Sequence, residues 1–395
     1  MLWASYYIRG EDNKRYFTLL TLLFAVRMFL LLFRESFISL FLGWEGLGIT
    51  SYLLIGYYQR WDNVNNSIFT YLTIRVGDVF FLLSIFFHPL LFLFLLASTK
   101  RAVFPFIAWL PKAIRAPTPI RALVHSSTLV TAGIFFLLKV EINLTPFIFL
   151  FLLTLIFSSL LGRVEKDGKK IIALSTLRQL AFILLLMRRG YYLLGIIHLI
   201  IHGFFKRLLF LIRGTFIHSR WGEQIKSKII NRIPSVISVY NLTLFRLIGI
   251  PYLSGIISKD LFITNLTFFN LLFWLSISLT FLYSLSLIQV PKNINIFTNY
   301  HKSIKIYSGV FLFLLAIIIG IILGRLEELV SWEKRLPLLY FLLLLLIVTP
   351  FSNYLNFIVS YLKEIGKFFE SLLITHLTLT LTPLLFLLYS LPPLV

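Results

Sequence analysis

Apolar stretches of roughly 17 to 25 residues recur along the chain, and each could cross about 30 Å of hydrocarbon at 1.5 Å per helical residue. Charged clusters, prolines and glycines separate them. Cutting there predicts spans near 16–34, 36–58, 67–87, 88–111, 119–139, 145–163, 171–188, 191–213, 236–262, 265–290, 305–325, 335–351 and 375–391. That is about 13 helices by the hydropathy criterion. Runs of about ten residues with alternating polarity, as a membrane barrel requires, are not found. Polar connectors such as 60–66, 162–170 and 219–232 are short. The pattern therefore predicts one all-α, polytopic transmembrane helical bundle without a soluble module.

Two spans carry internal breakers. Pro105 interrupts the fourth, shortly after Lys100, and Gly249, Pro251 and Gly255 interrupt the ninth, just before Lys259. Proline removes a backbone donor, and a broken helix is tolerated at membrane depth only where protein or water satisfies the freed groups. Breaks in corresponding positions point to an ion pathway; the alternative is that they mark loops. They stand five spans apart, and an odd repeat length reverses orientation. This suggests two inverted five-helix repeats, over 16–139 and 140–290, after a polar segment 1–15 and before C-terminal spans 291–395. Within the last region, Leu355, Ile358, Leu362, Ile365, Phe369 and Leu372 recur at helical spacing opposite Asn356, Ser360, Lys363, Lys367 and Glu370. A short amphipathic lateral helix near 352–373, lying in the interface plane, is expected, with an ordinary span as the alternative.

Composition agrees: of 395 residues, 58% are hydrophobic and 13% charged, with a mean hydropathy of +0.90. The bilayer must be the solvent. The net charge of +21 sits mostly on Lys and Arg flanking apolar runs, which suits an anionic membrane face better than nucleic acid. Cysteine is absent, so neither disulfides nor thiolate-held iron-sulfur clusters belong to this chain. The charged stretch before the first span leads into an apolar run without a small-residue cleavage site, so no cleavable signal peptide is expected.

Ionised side chains inside hydrocarbon cost several kcal/mol unless paired or hydrated. Glu45 lies mid-span in the segment Gly43-Trp44-Glu45-Gly46-Leu47-Gly48. Lys100, beside the Pro105 break, is its expected partner; burial disfavours a charged lysine and a nearby carboxylate favours it, so moving one partner can switch proton affinity. Arg75 and Asp78 share a helix face at i and i+3, as a structural ion pair or as part of a pumping path. His198, His202 and Lys206 recur every four residues, rotating about 80° across the set, and so line one helix face. Histidine suits a proton relay; a metal is disfavoured because no carboxylate accompanies the pair and Lys206 repels a cation. His125 could bridge Lys100 to that row or be a satisfied core histidine. Lys259, with Asp260, mirrors Lys100. Arg121, Arg178, Arg188, Arg189, Arg207 and Arg213 are expected to snorkel from span ends.

These residues resemble a known family. The Gly43 to Gly48 segment with Ser51 to Gly56, Arg75-Val76-Gly77-Asp78, Pro105-Phe106 followed by Trp109-Leu110-Pro111, Ala116-Pro117-Thr118-Pro119 with the His125 segment, Ser175-Thr176-Leu177 with Gln179, His198 to Lys206, and Ser258-Lys259-Asp260 are similar to the antiporter-like chain 5 subunits of the proton-pumping NADH:ubiquinone oxidoreductase, respiratory complex I. The His125 segment and Lys259 favour chain 5 over chains 2 and 4. The resemblance implies that Glu45 and Lys100 are a coupled pair, that His125, His198, His202 and Lys206 form a hydrated axis, and that Lys259 is the terminal proton site. It implies two inverted repeats, with the family's usual three leading helices and longer lateral helix lost or supplied by another chain. Arg101 after Lys100, Lys112 in place of a usual acid, and Arg178 in a normally uncharged stretch depart from the family pattern.

The expected function is a proton-translocating subunit without a cofactor of its own, FMN, iron-sulfur clusters and ubiquinone being held by other subunits. Expected partners are membrane-arm subunits, especially the neighbouring chain 4, and anionic lipids such as cardiolipin. Alternatives are the large subunit of a multisubunit cation/proton antiporter, or a structural subunit that no longer pumps. Forty-one Phe and the absence of a targeting peptide suggest the mitochondrial inner membrane, with a bacterial plasma membrane as the alternative.

Overall fold

The computed structural model describes residues 7–8, 13–33, 36–86, 89–125, 128–140, 145–188, 190–218, 234–248, 279–284 and 287–288. The chain divides into two compact units, Met1–Leu343 and Leu344–Val395, and all described residues belong to the first. The second predicted helix break, Lys259 and Asp260, the spans beyond 290 and the lateral helix at 352–373 lie outside the described residues.

No strand occurs among the described residues, and the predicted spans are helices: α1 Lys14–Phe33, α2 Phe37–Ile55, α3 Trp61–Phe86, α4 Pro89–Arg101, α5 Leu129–Val140, α6 Ile148–Val164, α7 Gly168–Arg188, α8 Tyr192–His218 and α9 Pro234–Ile248. Six described segments are long and apolar enough to cross a membrane: Lys14–Phe33, Trp61–Ser84, Leu91–Lys112, Thr118–Lys139, Gly168–Arg188 and Tyr192–Ile217. Consecutive helices pack as neighbours from α1 to α5 and again from α6 to α9, as short connections dictate. Residues 171–187 of α7 are all buried. A helix apolar nearly all round belongs at the centre of a bundle, and α7 takes that place between α6 and α8.

Two predicted spans are not continuous helices. After α4 the chain makes 3-10 turns at Phe106–Ala108 and Ala113–Arg115 around a short helix, Trp109–Lys112. Before α5 it forms a single helical turn, Thr118–Ile120, and a π-turn, Arg121–His125. Hydroxyls within the helices turn back onto their own backbone: Thr50 Oγ1 donates to the Gly46 carbonyl at 2.8 Å, and Thr99 Oγ1 to Leu96 at 2.8 Å. Such bonds let polar residues sit among apolar ones.

Small residues set the tightest helix crossings. A Cβ on Gly43 would stand 3.0 Å from the Leu31 backbone nitrogen, so α1 and α2 touch almost backbone to backbone. Gly77 of α3 lies directly against the Thr99 side chain of α4, leaving no room for a Cβ. Thr99 is fully buried and β-branched, so it cannot swing aside. Gly77→Ala should therefore destabilise the protein by about 1–3 kcal/mol through overpacking. Adding Thr99→Ala should recover part of the loss, measured as the thermal midpoint of the purified protein; a neutral single substitution would refute this packing account.

Candidate functional site

The interruption of α4 positions Lys100. With Pro105 unable to donate, the helix ends at Arg101, and Ala102 adopts a left-handed conformation, φ 55°. The last carbonyls of the helix exchange donors as it closes: Ser98 accepts from the Val103 N–H at 3.1 Å and Thr99 from the Ala102 N–H at 3.3 Å. The Trp109 indole N–H also donates to the Thr99 carbonyl, at 2.7 Å. Lys100 and Arg101 thus stand in the last turn of α4, where the helix dipole favours positive charge.

Lys100 is fully buried. Its ammonium donates to the Trp44 backbone carbonyl and lies 3.9 Å from the centroid of the Trp44 ring, a cation–π contact. Phe136 packs on that ring at 5.2 Å, and Phe81 on Phe136 at 6.2 Å, extending an aromatic cluster from Trp44.

Glu45 takes a different partner from the one its sequence suggested. Its carboxylate pairs with Arg75, Nη1 to Oε1 at 2.5 Å, while the same Nη1 stands 3.5 Å from Asp78 Oδ2. The Arg75 Nε donates to the Tyr71 hydroxyl at 2.7 Å, and the guanidinium lies 4.9 Å from the Tyr71 ring centroid. Asp78 is buried; the side chains of Arg75 and Glu45 are 33% and 27% exposed. Arg75 is thus shared by two carboxylates. Arg27, unexplained by sequence, lies across Gly46 with its Cδ and Nε over the missing side chain, beside Glu45.

A second polar row joins α7 and α8. Gln179 Oε1 and His198 Nε2 are 3.1 Å apart, and the Lys206 ammonium donates to Ser175 Oγ. The His198 and His202 rings are nearly parallel, 6.2 Å apart, and all three α8 residues are buried. Ser175 spends its proton on the Ile172 carbonyl at 2.6 Å, so towards Lys206 it can only accept. Sequence reasoning placed the α8 row correctly on one face but assigned no role to Ser175 or Gln179; their spacing of four, matching that of the histidines, was the available signal.

Several other expectations change. Arg178 and Arg213 are buried within the bundle beside Tyr283 and Tyr240 respectively, and Arg121 is buried as well, so none of the three snorkels to a free edge. The arginine stem is long, but helices packed on every side leave it no route outward. His125 ends the π-turn; its side chain, like Lys259 and Asp260, is outside the described residues. Pro105 follows the break rather than making it alone, since the helix has already ended at Arg101.

The profile of the NADH:quinone oxidoreductase/Mrp antiporter transmembrane family matches residues 35–89 and 86–286. The chain is 38% identical over 353 residues to the NADH-ubiquinone oxidoreductase chain 5 of Caenorhabditis elegans, covering 81% of this chain and 66% of that one. It is 38% identical over 317 residues to that of Ascaris suum, covering 72% and 58%, and 37% identical over 293 residues to that of Anopheles arabiensis, covering 66% and 76%. The chain thus spans less than two thirds of the length of the nematode relatives. Among solved structures, the Mrp complex from Dietzia sp. DQ12-45-1b is similar with a TM-score of 0.71 at 20% identity, covering 95% of this chain and 52% of that chain. The archaeal membrane-bound sulfane sulfur reductase is similar with a TM-score of 0.72 at 20% identity, covering 84% and 78%. These likenesses show the helical membrane fold, and the profile match, covering well over half of the residues, shows that the chain belongs to the NADH:quinone oxidoreductase/Mrp antiporter transmembrane family.

Proposed function

We propose that this chain is a proton-translocating membrane subunit of NADH:ubiquinone oxidoreductase, moving protons through its buried polar row while quinone is reduced elsewhere in the complex. The observation that carries the reading is a fully buried lysine, Lys100, held against the ring and carbonyl of Trp44, the residue before Glu45, with Arg75 shared between Glu45 and Asp78. A structural ion pair needs two groups; here one arginine serves two carboxylates, at 2.5 and 3.5 Å. When Arg75 leans to Glu45, Asp78 is free to balance a charged Lys100. When it leans to Asp78, that balance is withdrawn and Lys100 can give up its proton. His198, His202 and Lys206 continue the path along α8, with Gln179 and Ser175 orienting the groups at either end. His125 stands on the segment leading into α5, as the bridge expected between Lys100 and that row, and Lys259 with Asp260 would form the terminal site.

The reading gives this chain no cofactor, and FMN, iron-sulfur clusters and ubiquinone belong to other subunits. Its partners are then the membrane-arm subunits, chain 4 nearest among them, with anionic lipids such as cardiolipin at the basic edges. Its home is the mitochondrial inner membrane, and its two halves are inverted five-helix repeats. A second reading, the large subunit of a cation/proton antiporter, is supported by the likeness to the Mrp complex. The higher identity to the chain 5 proteins favours the first. Co-purification separates them: flavin and iron-sulfur subunits would accompany the first, only small membrane chains the second.

Glu45→Gln and Lys100→Met should each lower proton pumping per electron while the complex still assembles, read in reconstituted vesicles and normalised to assembled complex. Full pumping by the double variant would end the relay reading, since a purely structural pair recovers when both charges are removed. Double-mutant cycles on thermal stability should give positions 45 and 75 a coupling of about 1 kcal/mol or more, larger than that between 45 and 100. Equal couplings would contradict the shared-arginine arrangement. Ser175→Ala should reduce pumping with assembly intact, by removing the acceptor that orients Lys206; unchanged pumping would exclude α7 from the path.

A further inference from the structure

Arg27 stands inside α1, and neither polar row uses it. The contacts around α2 fix where its side chain goes. On one side α2 meets α3: Glu45 pairs with Arg75, Phe41 packs on Phe81 at 5.1 Å and Tyr52 on Tyr71 at 5.3 Å. On another side it meets α1, where Gly43 abuts the Leu31 backbone and Gly46 receives the Arg27 side chain. At about 100° per residue, Leu42 and Ile49 point between these two sides, and both are exposed. Glu45 borders that strip at its α3 edge and Gly46 at its α1 edge.

The Arg27 stem crosses directly over Gly46. A Cβ there would stand 2.6 Å from Arg27 Cδ and 2.8 Å from Nε, so the missing side chain is the seat of the arginine. Coming from α1, the guanidinium beyond Nε is carried towards the strip that Glu45 borders on its far edge. Arg27 is half-buried and forms no ion pair among the described residues. The Glu45 side chain is 27% exposed, which leaves its carboxylate room to turn. Arg75 holds Glu45 closely and Asp78 loosely, at 2.5 and 3.5 Å from the same nitrogen. Moving Arg75 fully onto Asp78 would strip Glu45 of its cation, and a carboxylate left alone at membrane depth takes up a proton unless another cation receives it.

We propose that Arg27 is a positioning residue for Glu45, the second cation that receives its carboxylate when Arg75 turns to Asp78. Glu45 then stays ionised through the exchange, and the proton handled by the row remains that of Lys100. This inference rests on the proton-path reading of the row.

The test uses the assembled complex in reconstituted vesicles. It reads protons pumped per electron and, by redox-difference infrared spectroscopy, the carbonyl stretch of a protonated carboxyl group. Arg27→Gln should lower pumping and bring up a carboxyl band that disappears when Glu45→Gln is added. Arg27→Lys, which keeps the cation, should restore most of the pumping and remove the band. Gly46→Ala, which puts a Cβ into the seat of Arg27, should cause part of the same loss in the wild type and no further loss on top of Arg27→Gln. Lowered stability or pumping with an unchanged infrared spectrum would make Arg27 a packing residue and overturn the proposal. Full pumping in Arg27→Gln, or equal losses in Arg27→Lys and Arg27→Gln, would overturn it as well. Should Arg27→Gln fail to assemble, unchanged pumping and spectrum in Gly46→Ala overturn it equally. Full pumping in Glu45→Gln would end the proton-path reading instead, while the infrared band still decides whether Arg27 serves Glu45, so the two failures are distinct.

Discussion

A backbone that stops being helical inside an apolar bundle must find new partners for its amides and carbonyls, and the interruption after Lys100 is organised by that need. Ser98 and Thr99 keep the same two amides that a continuous helix would give them but with the partners exchanged, Val103 to Ser98 and Ala102 to Thr99, and the Trp109 indole adds a further donor to Thr99. That further donor is available only because Trp109 returns towards the helix end on its own short helix, which packs against α3 and α7. Lys100 is thereby held at a helix terminus, at the level of Trp44 and within reach of the charges of α2 and α3.

The same constraint governs the side chains. A charge taken from water has to be met by groups of the chain itself, and the geometry of those groups decides whether the charge is fixed or movable. Arg75 is met twice over, by Glu45 and Asp78, with Tyr71 holding its Nε. Lys100 is met by a carbonyl and a ring, neither of which carries a formal charge. Lys206 is met by a hydroxyl already committed to another acceptor.

Much of this was legible in the chain. Hydropathy located every helix among the described residues, because a bilayer leaves few ways to satisfy a backbone and length then follows from thickness. Glu45, Arg75, Asp78, Lys100, His198, His202 and Lys206 stood out as ionisable groups in apolar surroundings, and they are gathered into two rows in the fold. The pairing within the first row was not legible. Glu45 and Lys100 looked like partners because Glu45 lies mid-span and Lys100 beside the Pro105 break, yet which side chains meet depends on the rotation of α2 against α3 and α4. That rotation is set by contacts such as Gly77 on Thr99 and Gly48 on Ile74.

What the sequence by itself determined is the class of the molecule, its spans, the place of the α4 break and the inventory of buried charges, since each follows from local polarity and from proline chemistry. Tertiary structure alone decided that Arg75 stands between Glu45 and Asp78, and that Lys100 meets the carbonyl and ring of Trp44. It likewise decided that Arg27 spans Gly46 and that Arg213 lies on Gly168 at the start of α7. Contacts between helices join residues far apart in the chain, and helical periodicity reports which face a residue lies on, not which helix that face meets.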